Sequence, residues 1–257
     1  VRSAPLSVAG PVDLVASRPA VECAPAPSGM VAWWPGEGNM NDVQGPTFEN
    51  GSLMNGAVFS PGRVGQAFSF DGVDDYATVP ASANWAFGTG DFTVQFWMYS
   101  TTNDDRRPLV NNRQGTGGIP NMWAIEIYNV PNRVEFHSGT TILMTATTLL
   151  TSSSWNHVAV TRTGPTLTMY INGVPAGTGT SSDDFSQIND LQVGRDLLPL
   201  PIGDLGKTFG GRIDEISIFN RSLTAAEVAT IFNAGSSGMC PNCTPPPPDM
   251  IAWWPGD

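Results

Sequence analysis

From Trp155 to Gly173 the chain reads Trp-Asn-His-Val-Ala-Val-Thr-Arg-Thr-Gly-Pro-Thr-Leu-Thr-Met-Tyr-Ile-Asn-Gly. Val158, Val160 and Arg162 fall on one side of an extended segment, and Trp155, His157 and Ala159 fall on the other. After the Gly164-Pro165 break, Leu167, Met169 and Ile171 alternate with Thr166, Thr168 and Tyr170, and Asn172-Gly173 closes the run. Alternation, a turn, alternation again and then Asn-Gly specifies consecutive antiparallel strands. The chain is therefore expected to be all-β.

The remaining segments fit that reading. Strand candidates are Val64–Phe70, Tyr76–Pro80, Phe92–Tyr99, Pro108–Asn112, Trp123–Tyr128, Arg133–His137, Ile142–Thr147, Trp155–Arg162, Leu167–Ile171, Leu191–Val193 and Arg212–Phe219. Asn55-Gly56, Asp71-Gly72 and Ser138-Gly139 supply turns between them. Only Thr224–Asn233 reads as a helix, capped by Ser222 or Thr224, with Glu227 in its first turns and Gly235 after its end. Many strands and one short C-terminal helix predict a two-sheet antiparallel jelly-roll sandwich.

The net charge of −11 excludes nucleic acid as a partner, since no basic stripe offers to neutralise phosphates. It leaves carboxylates for a hard cation such as calcium. No apolar run approaches the roughly 20 residues of a membrane span. Val1 to Glu22 lacks the basic start and continuous apolar core of a signal peptide, so an export signal is expected upstream or already removed.

Residues 1–29, rich in Pro, Ala, Ser and Val, read as a tail or linker. The domain opens at Met30-Val-Ala-Trp-Trp-Pro-Gly-Glu, and Met250-Ile-Ala-Trp-Trp-Pro-Gly-Asp repeats it 220 residues later. That spacing suits whole domains in tandem. The predicted organisation is a domain over 30–238, a Cys/Pro-rich linker over 239–249 and the first strand of a second repeat over 250–257. Cys23 precedes Met30 by seven residues, as Cys243 precedes Met250. If Cys243 belongs to the next repeat, Cys23 and Cys240 bracket one domain and are placed to bridge it. The alternative is a local Cys240–Cys243 bond. Either bond implies an oxidising compartment.

Five segments together carry a family resemblance: Phe68-Ser-Phe-Asp-Gly-Val-Asp-Asp-Tyr-Ala-Thr-Val79, Phe92-Thr-Val-Gln-Phe-Trp97, Trp155-Asn-His-Val-Ala-Val-Thr161, Tyr170-Ile-Asn-Gly173 and Arg212-Ile-Asp-Glu-Ile-Ser-Ile-Phe-Asn-Arg-Ser-Leu-Thr-Ala-Ala-Glu-Val228. In this order they resemble a laminin-G-like domain of the concanavalin A-like lectin/glucanase superfamily, of the bacterial secreted or surface type. The resemblance implies a jelly roll in which Trp97 and Trp155 fill the core and His157 is structural. Members of such a family serve as carbohydrate-binding modules, adhesion domains or spacers.

Glu37-Gly-Asn-Met-Asn-Asp42 places several oxygen ligands on a Gly-bearing loop. Related domains often read Asp-Gly-Asn-x-x-Asp here and hold calcium, so Glu37, Asn39 and Asp42 are carried over as ligands. Asp214, in a last strand expected beside the first, is the fourth candidate. Asp74 and Asp75 fit a strand-entry turn as well as a ligand role.

Catalysis is not expected. A glycoside hydrolase needs two neighbouring carboxylates, and the Glu-x-Asp-x-x-Glu of the superfamily's glucanases is missing. Glu126 and Glu135 read as lone carboxylates in separate strands, and adjacent Asp214 and Glu215 as facing opposite ways. A serine triad has only His137 and His157 to draw on and no Gly-x-Ser-x-Gly.

The expected role is a non-catalytic extracellular binding or adhesion module for a glycan or a cell-surface protein. Asn112, Arg113, Trp123 and Tyr128 are the candidate ligand group, an aromatic platform ringed by polar side chains. The alternative is a structural subunit or spacer of a surface fibre or multi-domain adhesin, self-associating through the repeated terminal strand.

Overall fold

The computed structural model describes residues 23–44, 48–101, 107–114, 121–128, 132–197 and 208–240. In chain order the strands are β1 (Ala24–Pro25), β2 (Met30–Trp34), β3 (Ser52–Met54), β4 (Val58–Pro61), β5 (Gln66–Asp71), β6 (Tyr76–Val79), β7 (Phe92–Ser100), β8 (Arg107–Asn111) and β9 (Trp123–Tyr128). They continue as β10 (Arg133–Ser138), β11 (Thr141–Thr145), β12 (Trp155–Thr163), β13 (Thr166–Ile171), β14 (Val174–Thr180), β15 (Leu191–Val193), β16 (Gly210–Phe219) and β17 (Met239–Cys240). The α-helix α1 spans Ala225–Ala234.

Two antiparallel sheets form the sandwich. The smaller has the order β11-β10-β9-β8-β15-β6-β3. The larger runs β14-β13-β12-β7-β16-β5-β4, with β5 beside the first half of β16 and β2 beside the second. In β7, Phe92, Val94, Phe96 and Met98 enter the core between the sheets, leaving Thr93, Gln95, Trp97 and Tyr99 on the outer face. Each inward side chain contributes about 1.5–3 kcal/mol on burial. A slip of one residue would forfeit all four, which is what fixes the register. Trp34, Trp85, Phe136 and Phe185 fill the same core.

The two ends of the domain meet as the sequence predicts. Trp34 lies opposite Ile216 and Ala32 opposite Ile218. Cys23 and Cys240 form a disulfide with Cα atoms 5.2 Å apart, and beside it β1 pairs in parallel with β17. Residues 24–25 and 239–240, read from sequence as tail and linker, therefore belong to the folded unit. Cys243 and the repeated strand 250–257 lie outside the described residues.

Strand β14 escaped the sequence reading because Val-Pro-Ala-Gly-Thr-Gly-Thr has little strand propensity. Its glycines are there for a close approach. A Cβ on Gly177 would lie 2.9 Å from the Thr145 carbonyl oxygen, and one on Gly179 would lie 2.5 Å from that of Leu143. Bare backbone lets this edge of the larger sheet reach β11 of the smaller, closing one side of the sandwich.

Helix α1 starts as predicted. Thr224 accepts from the Glu227 N–H at 3.3 Å, and Glu227 accepts in return from the Thr224 N–H at 2.8 Å, a capping box. Val228 and Ile231 pack onto Trp33, Ala159, Tyr170, Phe219 and Leu223, a second small core on the outer face of the larger sheet. Trp97 joins this layer, with Phe232 stacked at 5.6 Å between ring centroids.

Trp97 and Trp155 are thus not in the sandwich core, contrary to the expectation. Both lie on the outer face, Trp97 covered by the helix and Trp155 half-exposed. The alternation itself places them there, opposite Phe96 and Val158.

Candidate functional site

The carboxylates at the closure of the sandwich come first. A register shift between Asp214 and Ser217 marks a β-bulge, with Glu215 in the left-handed region at φ 55°. The extra residue cancels the alternation. Asp214 lies opposite Trp97, and Glu215 accepts a hydrogen bond from the indole N–H of Trp33, so both carboxyls lie on the outer side of the sheet. The expectation that they face opposite ways is corrected by this bulge. Both are almost fully buried. Asp214 Oδ2 accepts the N–H groups of Arg63 at 2.7 Å and Val64 at 3.0 Å. Its Oδ1 has no hydrogen-bond partner among the described residues.

Burial pushes the Asp214 carboxyl up to about 7, with the charge of Glu37 adding to the effect. Burial, then Asp214, pushes Glu215 up to about 8. Glu37 itself accepts from the Gln66 N–H at 3.1 Å. Asn39 is not in this group. Its side chain spans the Glu37 carbonyl and the Asn41 N–H, an exposed local turn. Asp42 is also spent elsewhere, accepting the N–H groups of Trp33, Gln44 and Glu49. Burial raises its pKa against those three donors.

Glu37, Asn39, Asp42 and Asp214 therefore do not form one ligand shell. The donors that suit a hard cation are the orphaned Oδ1 of Asp214 and the neighbouring Glu37 carboxylate. Among the described residues, only Asp71, Asp74 and Asp75 bring three acidic ligand atoms within 4.8 Å of one another. Their oxygens also hold the turn, as the Asp71 N–H donates to Asp75 at 2.9 Å and the Val73 N–H to Asp71 at 2.7 Å.

The predicted ligand group is not a surface platform. Trp123 is fully buried with Ile125 and Ile127, and its indole N–H donates to the Trp85 carbonyl at 2.9 Å. Asn112 is buried and braces strands, donating to the Gln187 carbonyl at 3.0 Å and accepting the Trp123 N–H at 2.8 Å. Arg113 is buried between Glu126 and Asp196 and donates to the Gly139 carbonyl. Only Tyr128 is open, at 40% exposure. Sequence alone ranked these residues by type, and type does not say which face of a strand is covered.

Glu126 and Glu135, read as separate, are direct partners across β9 and β10. His137 Nε2 lies 3.0 Å from Glu135 and 4.0 Å from Glu126. The whole network of Arg113, Glu126, Glu135, His137 and Asp196 is buried. His157 is the structural histidine expected, with Nε2 at 2.6 Å from Gln95 Oε1. Complete burial lowers its pKa to about 3, so it is neutral.

A different set of side chains stands open. Trp155 lies opposite Tyr99, Tyr99 opposite Arg212, Arg212 opposite Ser69 and Ser69 opposite Val58. Directly paired residues share a face, so these five make one row across β12, β7, β16, β5 and β4, beyond the end that helix α1 covers. Tyr99 and Trp155 meet edge to face, their centroids 5.7 Å apart. The Arg212 guanidinium sits 4.3 Å from the Tyr99 centroid and 5.3 Å from that of Trp155. Beside the row runs a groove of about 380 Å³ lined by Ser60, Pro61, Ser69, Phe70, Tyr99, Thr101, Gly211 and Arg212.

Residues 71–229, more than half of the sequence, match a laminin G family described as the concanavalin A-like lectin/glucanases superfamily. The chain belongs to this superfamily.

Among solved structures, this superfamily member is similar to domain 4 of AbnA, a GH43 extracellular arabinanase from Geobacillus stearothermophilus, in complex with arabinotriose. The TM-score is 0.61 at 18% identity, covering 78% of this chain and 96% of that one. It is also similar to Trypanosoma rangeli sialidase, with a TM-score of 0.59 at 17% identity over 82% of this chain and 34% of that one. The botulinum neurotoxin serotype C1 binding domain aligns with a TM-score of 0.59 at 15% identity, over 80% of this chain and 52% of that one. The chain thus spans about a third of the sialidase and half of the toxin domain. At these identities the likeness is one of fold. Among curated proteins nothing matches.

Within the superfamily fold, the exposed row was legible in the alternation of β7 and β12. The core role implied by family resemblance displaced that signal for Trp155.

Proposed function

We propose that the chain is a non-catalytic, extracellular glycan-binding module whose ligand lies along the row from Trp155 to Ser69. The observation that carries this reading is the open aromatic pair Tyr99 and Trp155 beside a groove edged with Ser60, Ser69 and Thr101. A sugar ring presents an apolar C–H face to an aromatic ring and hydroxyls at its rim, and the groove offers partners for both. Its volume is in the range of small-ligand sites, roughly 300–1,000 Å³. Strands stand about 4.8 Å apart, so an extended glycan crossing them meets a new side chain at nearly each sugar. The fold-level likeness to an arabinanase domain that holds arabinotriose supports the reading.

A hydrolase would need an accessible pair of carboxylates placed as acid and nucleophile. Glu126 with Glu135, and Asp214 with Glu215, are close pairs that are buried. The exposed Asp71 and Asp74 sit with Asp75 in a turn that Asp71 and Asp75 hold through backbone N–H groups. The disulfide supports an oxidising, extracellular setting.

Calcium would serve as a structural counter-ion, held by Glu37 and Asp214 with neighbouring carbonyls, where carboxylates otherwise repel one another.

The test is a glycan array on the full chain, followed by titration of each hit against Trp155→Ala. Binding that disappears in the variant supports the reading. Binding that persists moves the site elsewhere, and an array without hits favours a spacer. Hydrolysis of any hit, lost in Glu126→Gln, would overturn the non-catalytic assignment.

A further inference from the structure

We propose that the row is selective for a carboxylate-bearing sugar, with Arg212 as the group that recognises the acid. This rests on the glycan-binding reading of the same row and adds the chemical class of ligand.

The chain carries 23 acidic residues against 12 basic ones. Three of its arginines are taken up by their neighbours. Arg113 is bracketed by Glu126 and Asp196, and Arg221 is paired with Glu227. Arg162 is saturated by the carbonyls of Gly164, Gly88, Asp183 and Ser181. Arg212 differs. It donates from Nη1 to the Pro61 carbonyl at 2.6 Å, and no carboxylate lies within ion-pair distance among the described residues. Its Nε and Nη2 are left without an acceptor there.

That guanidinium is also held in place. One face lies against Tyr99 and Trp155, and one corner is fixed by Pro61. Much of the side-chain entropy that binding would otherwise remove is already spent by the fold. A planar guanidinium with two adjacent free N–H donors matches a carboxylate in a two-pronged pair, which a neutral hydroxyl cannot reproduce. The hydroxyls of Ser69 on the row, and of Ser60 and Thr101 along the groove, then serve the remaining sugar oxygens. The acidic bulk of the protein gives the anchor its selectivity. An anion is repelled by much of this acidic surface, and at the row Arg212 offers it a cation that no carboxylate has already neutralised.

Uronates and sialates share this chemistry, so the experiment carries both. The full chain is titrated calorimetrically with trigalacturonate and with sialyllactose, each alongside its methyl ester. At least one free acid should bind about tenfold or more tightly than its ester, the scale of one charge-assisted pair. Arg212→Gln should erase that ratio, and raised salt should shrink it. Trp155→Ala should weaken acid and ester alike, because stacking does not depend on the charge. Unchanged melting of both variants keeps the comparison clean. Equal affinity for acid and ester, or neutral glycans bound at the row without an acid bound more tightly, overturns the acid selectivity and leaves glycan binding standing. Failure of every acid, ester and neutral glycan to bind overturns both.

Discussion

Trp33 donates its indole N–H to Glu215 at 3.1 Å across the pairing of β2 with β16, so the domain's first long strand holds one of the two buried carboxyls at the bulge. That carboxyl and Asp214 titrate near 8 and 7 in the folded protein, against 4.5 and 3.8 ordinarily. The folded state therefore keeps protons that the unfolded chain has released. The stability these groups contribute is complete below about pH 4 and is lost as pH rises through 7 and 8. Urea midpoints at pH 5 and pH 8.5 should differ in that direction. The difference should shrink in Asp214→Asn and Glu215→Gln. Variants that keep the full wild-type difference would sink this account.

A cation at Glu37 and Asp214 would act against that loss. Calcium should raise the melting temperature at pH 8 more than at pH 5, where protons compete for the same oxygens. Glu37→Gln should blunt the rise. A melting temperature indifferent to calcium and chelator at pH 8 would remove calcium from the description.

Tyr99→Ala and Trp155→Ala remove half-exposed rings and should change stability by no more than about 1 kcal/mol. They should abolish or strongly weaken glycan binding. Chemical denaturation beside titration separates the two effects, and a variant that binds normally would exclude its ring from the site.

Trp123→Ala should show the opposite pattern. This ring is in the core and bonded to the Trp85 carbonyl, so its loss should cost about 3–5 kcal/mol. Binding by the molecules that remain folded should be unchanged. A stable variant with lost binding would restore Trp123 to the ligand group.

Cys23→Ser with Cys240→Ser should lower stability by roughly 2–5 kcal/mol. The wild type under a reductant should follow the double variant. Matching denaturation curves for oxidised and reduced protein would show the bridge to be energetically idle.

Much of this fold was legible because alternation is a local signal. Phe92 to Met98 and Val158 to Met169 each announce a strand and its inward face. Strand β14 was not, because Gly177 and Gly179 answer to a neighbour in the other sheet rather than to their own strand. The site was less legible. Asp214 and Glu215 look opposed until a bulge at Glu215 turns them together, and nothing in their spacing signals the bulge. Glu126 and Glu135 meet only through the register of β9 with β10. Trp155 was misplaced for another reason. Its parity pointed outward, but tryptophan in a recognised motif invites a reading as core.

The bond between Cys23 and Cys240 has a mechanical meaning. Tension applied along the backbone from residues before Cys23 to residues after Cys240 travels through two sulfur atoms. The chain between them, a sequence separation of 217, is bypassed. Neither sheet has to shear for the pull to be transmitted, so the row from Trp155 to Ser69 keeps its shape under strain that would unravel an unbridged sandwich.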